Sequence, residues 1–209
     1  MTTARRPSRP TTPVGTAARP PFGFTVRAPA GWQALRGDAP SLADDLLALV
    51  ARTPLWQELD DRRRGGLGHL LHGIARASAA TGAVATLLRL PAAAASDEEP
   101  EVSAISLTWM RTAPVRADLD LARLVLREGE PVATGLGPGL VAVHGRTTVT
   151  GGEQHTVQVG VPVPDSVWLA VLTGTTSGVR HVPALTEAVL AVAASLQVDR
   201  PPRAAPATS

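Results

Sequence analysis

Three runs, LVAVHGRTTVT (Leu140–Thr150), HTVQVGVPV (His155–Val163) and VWLAVLTGT (Val167–Thr175), decide how this chain folds. Each reads as a strand. Successive side chains of a strand point to opposite faces, so Val141, Val143, Thr147 and Val149 share one side of the first run. His155, Val157, Val159, Val161 and Val163 share one side of the second. A two-residue turn at Gly151-Gly152 would pair Val141 with Pro162 and put the two valine sets on opposite faces. A three-residue loop, Gly151-Gly152-Glu153, pairs Val143 with Val161 and Val141 with Val163, so that all the valines line one face. That register is preferred, because a one-residue slip turns a whole strand over. The third run is apolar on both sides, the pattern of a central strand covered above and below. Pro162, Pro164 and Asp165 break the ladder before it. In Pro183–Leu196, Leu185, Val189, Val192 and Leu196 recur at helical spacing, and Pro183 suits a first helical position. This helix is expected to roof the valine face.

Working back toward the start, Phe22–Ala28 alternates as a strand with Phe22, Phe24 and Val26 on one side, and Pro29–Trp32 turns the chain. Leu42, Leu46, Leu49 and Val50 form a helical stripe that Ser41 is placed to cap. Thr53-Pro54 restarts a helix. A further helix is expected from Leu67, with Leu67, Leu70, Leu71, Ile74 and Ala77 on one face and Gly82 as its stop. Ala83–Leu90 and Val102–Thr112 read as strands, joined by a loop over Pro91–Pro100. Asp118 is expected to open a helix running to Arg127 and burying Leu121, Leu124 and Val125. Val132–Thr134 reads as a short edge strand. The order predicts an α+β fold, an antiparallel sheet flanked by helices as an α/β/α sandwich, with an extra helical segment near 54–80.

The 209 residues are 44% hydrophobic but only 3% aromatic, so the core must be built from Leu, Val and Ala. No cysteine occurs. Disulfides, thiolate metal sites and a cysteine nucleophile are excluded, and a reducing, cytoplasmic setting fits. All 20 basic residues are arginine, the mark of a GC-rich, actinobacterial-type composition. Residues 1–21 carry four arginines and no acid, whereas residues 22–198 carry 14 arginines and 17 acids. The sequence pI of about 10.7 therefore reflects a tail and not a basic groove, and no specific nucleic-acid binding is expected. Residues 1–21 and 199–209 read as disordered tails around a single domain over 22–198. No run is long and apolar enough to insert in a membrane.

The segments FTVRAPAGW (Phe24–Trp32), VWLAVLTGTT (Val167–Thr176) and AVLAVAASLQV (Ala188–Val198), in this order of elements, resemble the PsbP-like superfamily. That group includes the plant photosystem extrinsic subunit, a Ran-binding import factor and actinobacterial envelope lipoproteins of the LpqN type. The resemblance covers residues 22–198. It implies an antiparallel sheet between helices and a non-catalytic binding or accessory role, and it brings no catalytic motif. The chain differs from the lipoproteins in lacking a lipid-bearing cysteine, and Pro54–Ala80 has no counterpart in the family.

Several residues invite a chemical reading. Arg62-Arg63-Arg64-Gly65-Gly66, followed by His69, resembles an anion-binding turn before a helix, although a P-loop would end in Gly-Lys-Ser/Thr. The competing reading is a solvated turn. His69 and His72 have spacing for a shared metal, but Arg76 would repel the ion and no acidic ligand is adjacent, so neither a metal nor a cofactor is expected. His144 and His155 fall on opposite faces of the hairpin. Asp165-Ser166 lacks the Gly-x-Ser-x-Gly elbow of a hydrolase. Trp109 and Trp168 belong in the core, whereas Trp56, with His72 and Arg76, is the expected partner-facing group. The leading functional expectation is a protein-interaction or accessory module linked to an envelope or secretion assembly, docking through Leu46–Ile74 and the charged segment Asp97–Glu101. The alternatives are a small hydrolase or phosphate-handling enzyme using the Arg62–His69 turn, and a structural subunit of a homomeric assembly.

Overall fold

The valine-rich runs lie side by side in the computed structural model, which describes residues 15–90, 102–112, 120–147, 153–176 and 178–199. They form β7 (Gly137–Thr147), β8 (Glu153–Pro162) and β9 (Trp168–Thr176). Upstream come β1 (Gly15–Ala17), β2 (Phe24–Thr25), β3 (Gln33–Arg36), β4 (Ala83–Arg89), β5 (Ser103–Thr112) and β6 (Glu130–Thr134). One antiparallel sheet runs in the order β3-β4-β5-β9-β8-β7-β6, with β1 beside the end of β5. A second, two-stranded ribbon pairs β2 with β10 (Gln197–Val198). The fold is α+β, an antiparallel sheet flanked by helices.

The central place of β9 follows from its composition. Trp168 through Leu172 are all buried, so both faces need cover. On one face, Leu107, Trp109, Ala170, Leu172, Val157, Val159 and Val161 meet α5 (Val182–Ser195) through Leu185, Val189, Val192 and Ala193. Full burial of each such aliphatic side chain contributes about 1.5–3 kcal/mol. The two phenylalanines finish this layer: Phe22 stands edge-on to Trp109 and Trp168 at 5.1 and 5.7 Å between ring centroids.

The other face has two covers. Leu88 and Ala104 lie under α1 (Leu42–Ala51), α2 (Pro54–Glu58) and α3 (Asp61–Thr81), which contribute Leu46, Val50, Leu55, Leu67 and Leu71. Leu140, Ala142, Leu169 and Val171 lie under α4 (Leu121–Val125), through Ala122 and Leu126. The layers are thus helix, sheet, helix.

Several boundaries differ from the sequence reading. The hairpin pairs Val143 with Val157 and Val141 with Val159, not with Val161 and Val163. The valines still share a face, because an alternating pattern cannot distinguish registers that differ by an even number of residues. The strand expected over Phe22–Ala28 shrinks to Phe24–Thr25, while β1 and β3 arise where no strand was expected. β1 draws residues 15–17 out of the expected tail, and Ala18 donates its N–H to the Trp109 carbonyl at 3.0 Å. Ser41 occupies the N-cap position of α1, as expected, but its side chain accepts from no helix N–H; its Oγ donates to Asp45 Oδ2 at 2.9 Å. The α4 helix is shorter than expected and is capped by Asp120, which accepts from the N–H groups of Ala122 and Arg123. The expected loop over Pro91–Pro100, the expected helix start at Asp118 and the charged segment Asp97–Glu101 lie outside the described residues.

Candidate functional site

The basic and glycine-rich stretch expected to be a turn is helix. α3 starts at Asp61, six residues before the expected start at Leu67, so Arg62, Arg63, Arg64, Gly65 and Gly66 lie within its first two turns. Asp60 caps the helix, accepting from the Arg63 N–H at 2.8 Å. The glycine N–H groups therefore do not form an open cradle ahead of a helix, and an anion arriving there would meet Asp60 and Asp61. Tertiary packing of Leu67 and Leu71 carries the helix across glycines whose propensity opposes it.

Two of the three arginines are engaged. Arg63 lies 3.9 Å from Asp60, an i,i+3 pair at the helix start. The Arg64 guanidinium donates from Nε to the Trp56 carbonyl at 3.1 Å and sits over the Trp56 ring, 5.7 Å from its centroid. Trp56 is half-buried against the α1–α3 cluster, as its expected partial exposure requires. His72 Nδ1 is 2.9 Å from the Gly68 carbonyl, one turn back on the same helix. Among the described residues no group of three His, Cys, Asp or Glu is arranged to hold a metal ion.

The outward face of α3 carries Arg62, Gly65, Gly66, His69, Arg76 and Ala77, all exposed. Leu70 and Ala77, expected to be buried, are not: Leu70 is 42% exposed. The buried stripe is instead Leu67, Leu71 and Ser78, with Ile74 and Ala75 partly covered. A Cβ built at Gly65, Gly66, Gly68 or Gly73 would meet nothing within 4 Å, so internal packing does not require these glycines.

The remaining candidates do not converge. His144 pairs across to Thr156 and His155 to Gly145, which places the histidines on opposite faces, as expected. α3 contacts β4 and β5, whereas His144 is on β7, three strands from β5, or ~14 Å at the usual strand spacing. Ser166 is occupied in the turn before β9: its Oγ donates to the Val163 carbonyl and accepts the Trp168 N–H, while Asp165 takes a left-handed φ of 54°. Trp109 and Trp168 are core residues, 0% and 6% exposed.

One charged group had no sequence signal, because β3 was not anticipated. Arg36 at the end of that strand donates from Nε and Nη2 to the two Asp38 oxygens at 3.2 and 3.3 Å. Hydrogen bonding from Arg36 holds the Asp38 carboxyl below the usual carboxylate range.

No family model matches the chain, and no curated protein does. Among solved structures, the crystal structure of LpqN, described as involved in cell envelope biogenesis of Mycobacterium tuberculosis, is similar over 89% of this chain and 90% of that chain. Identity is 10% and the TM-score 0.44, a distant structural relation that places the chain in no family. No helix among the described residues is long and apolar enough to cross a membrane.

Proposed function

We propose that this chain is a non-catalytic protein-binding module whose partner docks on the outward face of α3. The exposed Leu70 in the middle of a well-anchored helix carries the reading. A leucine at 42% exposure is beside His69 on a helix whose inner stripe already buries Leu67, Leu71 and Ser78. Around it, glycines the fold does not need each cost about 0.8–1 kcal/mol relative to alanine. They remove side chains from a surface that another backbone can then approach closely. Arg62, His69 and Arg76, exposed on the outward face, supply the polar rim that a protein interface requires. The cysteine-free composition fits work in the cytoplasm. The sequence resemblance to the PsbP-like superfamily is the ground for expecting the partner within an envelope or secretion assembly, as an accessory component.

The test is site-specific photocrosslinking in the native host, with the photoreactive residue at Gly73 and, as control, at Ala34 on β3. One discrete heavier adduct at Gly73, lost on Leu70→Asp, is expected. Equal labelling from both positions, or none from Gly73, refutes the assignment.

A further inference from the structure

A cavity of about 500 Å³ opens where β1 and the segment after it, the turn following β3, and the junction of α3 with β4 meet. Its walls are small and apolar, with Ala17, Ala18, Ala39, Pro40, Ala79 and Val84 facing the space. Alanines leave this volume open where leucines would close it. Two glycines hold the walls in place. A Cβ at Gly37 would come within 2.7 Å of the Ala83 carbonyl oxygen, and Gly82 adopts the left-handed φ of 66° that ends α3. Gly37 also donates its N–H to the Val84 carbonyl at 3.2 Å, tying the β3 turn to β4.

The polar lining is one acid and one base, Asp38 and Arg19. Asp38 is already gripped by both donors of the Arg36 fork. Arg19 approaches it only to 3.8 Å, beyond hydrogen-bonding distance, and its side chain is 80% exposed. A guanidinium presents five N–H donors, and those of Arg19 make no hydrogen bond to any described residue. Arg19, Arg36 and Asp38 together carry one net positive charge. The negative end of the α3 dipole lies at Gly82 and opposes an anion at that wall, so the place for an anionic group is the Arg19 rim, with an apolar body against the alanines.

We propose that this cavity is a binding site for a small monoanion with a compact apolar body, such as an aryl or short acyl carboxylate, with Arg19 holding the carboxylate. Its volume falls within the range of small-molecule sites. The cavity touches α3 through Ala79, one turn beyond Arg76, but its assignment does not rest on the α3 partner surface.

The experiment uses the full chain with two probes that share one ring system, 1-naphthaleneacetate and 1-naphthylmethylamine, followed by amide chemical shifts and titration calorimetry. The acid should shift Gly37, Gly82 and Val84 in a saturable way, and the amine should not. Arg19→Gln, at an exposed position, should weaken the acid ~ten- to hundredfold, the range for a hydrogen bond to a charged group. Ala79→Phe, which fills the cavity without touching the charges, should abolish binding while leaving the far-ultraviolet spectrum unchanged. Binding of the amine as tight as the acid, shifts confined to another surface, retained affinity in both variants, or no binding of the acid at millimolar concentration would each overturn the assignment.

Discussion

Replacing Gly174 by alanine tests whether α5 presses on the sheet as described. Gly174 is on β9, and a Cβ there would lie 2.6 Å from Val189 Cγ2 and 2.9 Å from Leu185 Cδ1. Both are fully buried core side chains of α5. Valine is stiff at χ1, so Val189 cannot swing aside cheaply. Overpacking of this kind costs about 1–3 kcal/mol. Against it stands the gain of about 0.5–1 kcal/mol from removing a glycine from a strand interior. The net centres on a destabilisation of about 1 kcal/mol, or ~2–4 °C in Tm for a domain of this size. Urea unfolding followed by the fluorescence of buried Trp109 and Trp168 measures it. The paired control is Gly66→Ala on the open face of α3, where a Cβ meets nothing. That change should stabilise by about 0.8–1 kcal/mol. The two glycine-to-alanine changes should therefore have opposite signs. A Gly174→Ala protein as stable as the parent would refute the close seating of α5 on β9.

Three further outcomes are expected. Asp60→Ala should cost about 1 kcal/mol in denaturant unfolding, because the Arg63 N–H loses its cap. Ser78→Ala should cost about 1–3 kcal/mol, since it leaves the hydroxyl of fully buried Thr86 without its 3.0 Å partner, and Ser78→Ala combined with Thr86→Val should recover part of that loss. Asp38, whose folded-state pKa is lowered by Arg36, contributes stability above its unfolded pKa, and that contribution disappears as pH falls through the folded pKa. Carboxyl-carbon NMR should show Asp38 titrating below the ordinary aspartate range, and Arg36→Gln should return it toward that range.

The C-terminal half was legible because its signals are strong and local. The two-sided apolar run of β9, the alternation of β8 and the helical stripe of α5 each admit one placement, and burial agrees at Leu172, Val159 and Val189. The hairpin register was not legible, since Val157 and Val161 are equivalent partners for Val143 under a two-residue period. The start of α3 was obscured by Gly65 and Gly66, which read as a turn until the Asp60 cap and the packing of Leu67 are known. β1 and β3 have weak intrinsic strand patterns. Their backbones are ordered by neighbours β5 and β4, which no local window contains. For the candidate surface, sequence named Trp56 correctly as partly exposed but placed Leu70 inside. Residues 67, 70, 71 and 74 span more of the helix circumference than the sheet covers. The Arg19–Asp38–Arg36 group joins two segments brought together only by β1 and β3.

The position of β9 also governs how the chain can be made. Leu107 in β5 pairs with Leu172, and Val159 in β8 with the same residue, so one late segment is shared between the two halves of the sheet. A ribosome that has not yet released β9 holds a chain in which Trp109 and Ile105 have no neighbour on that side and no helix above them. Such non-local pairing folds slowly and leaves apolar edges open in the meantime. Synthesis of the last strand and helix is therefore the moment at which the two halves of the sheet can join and those edges close.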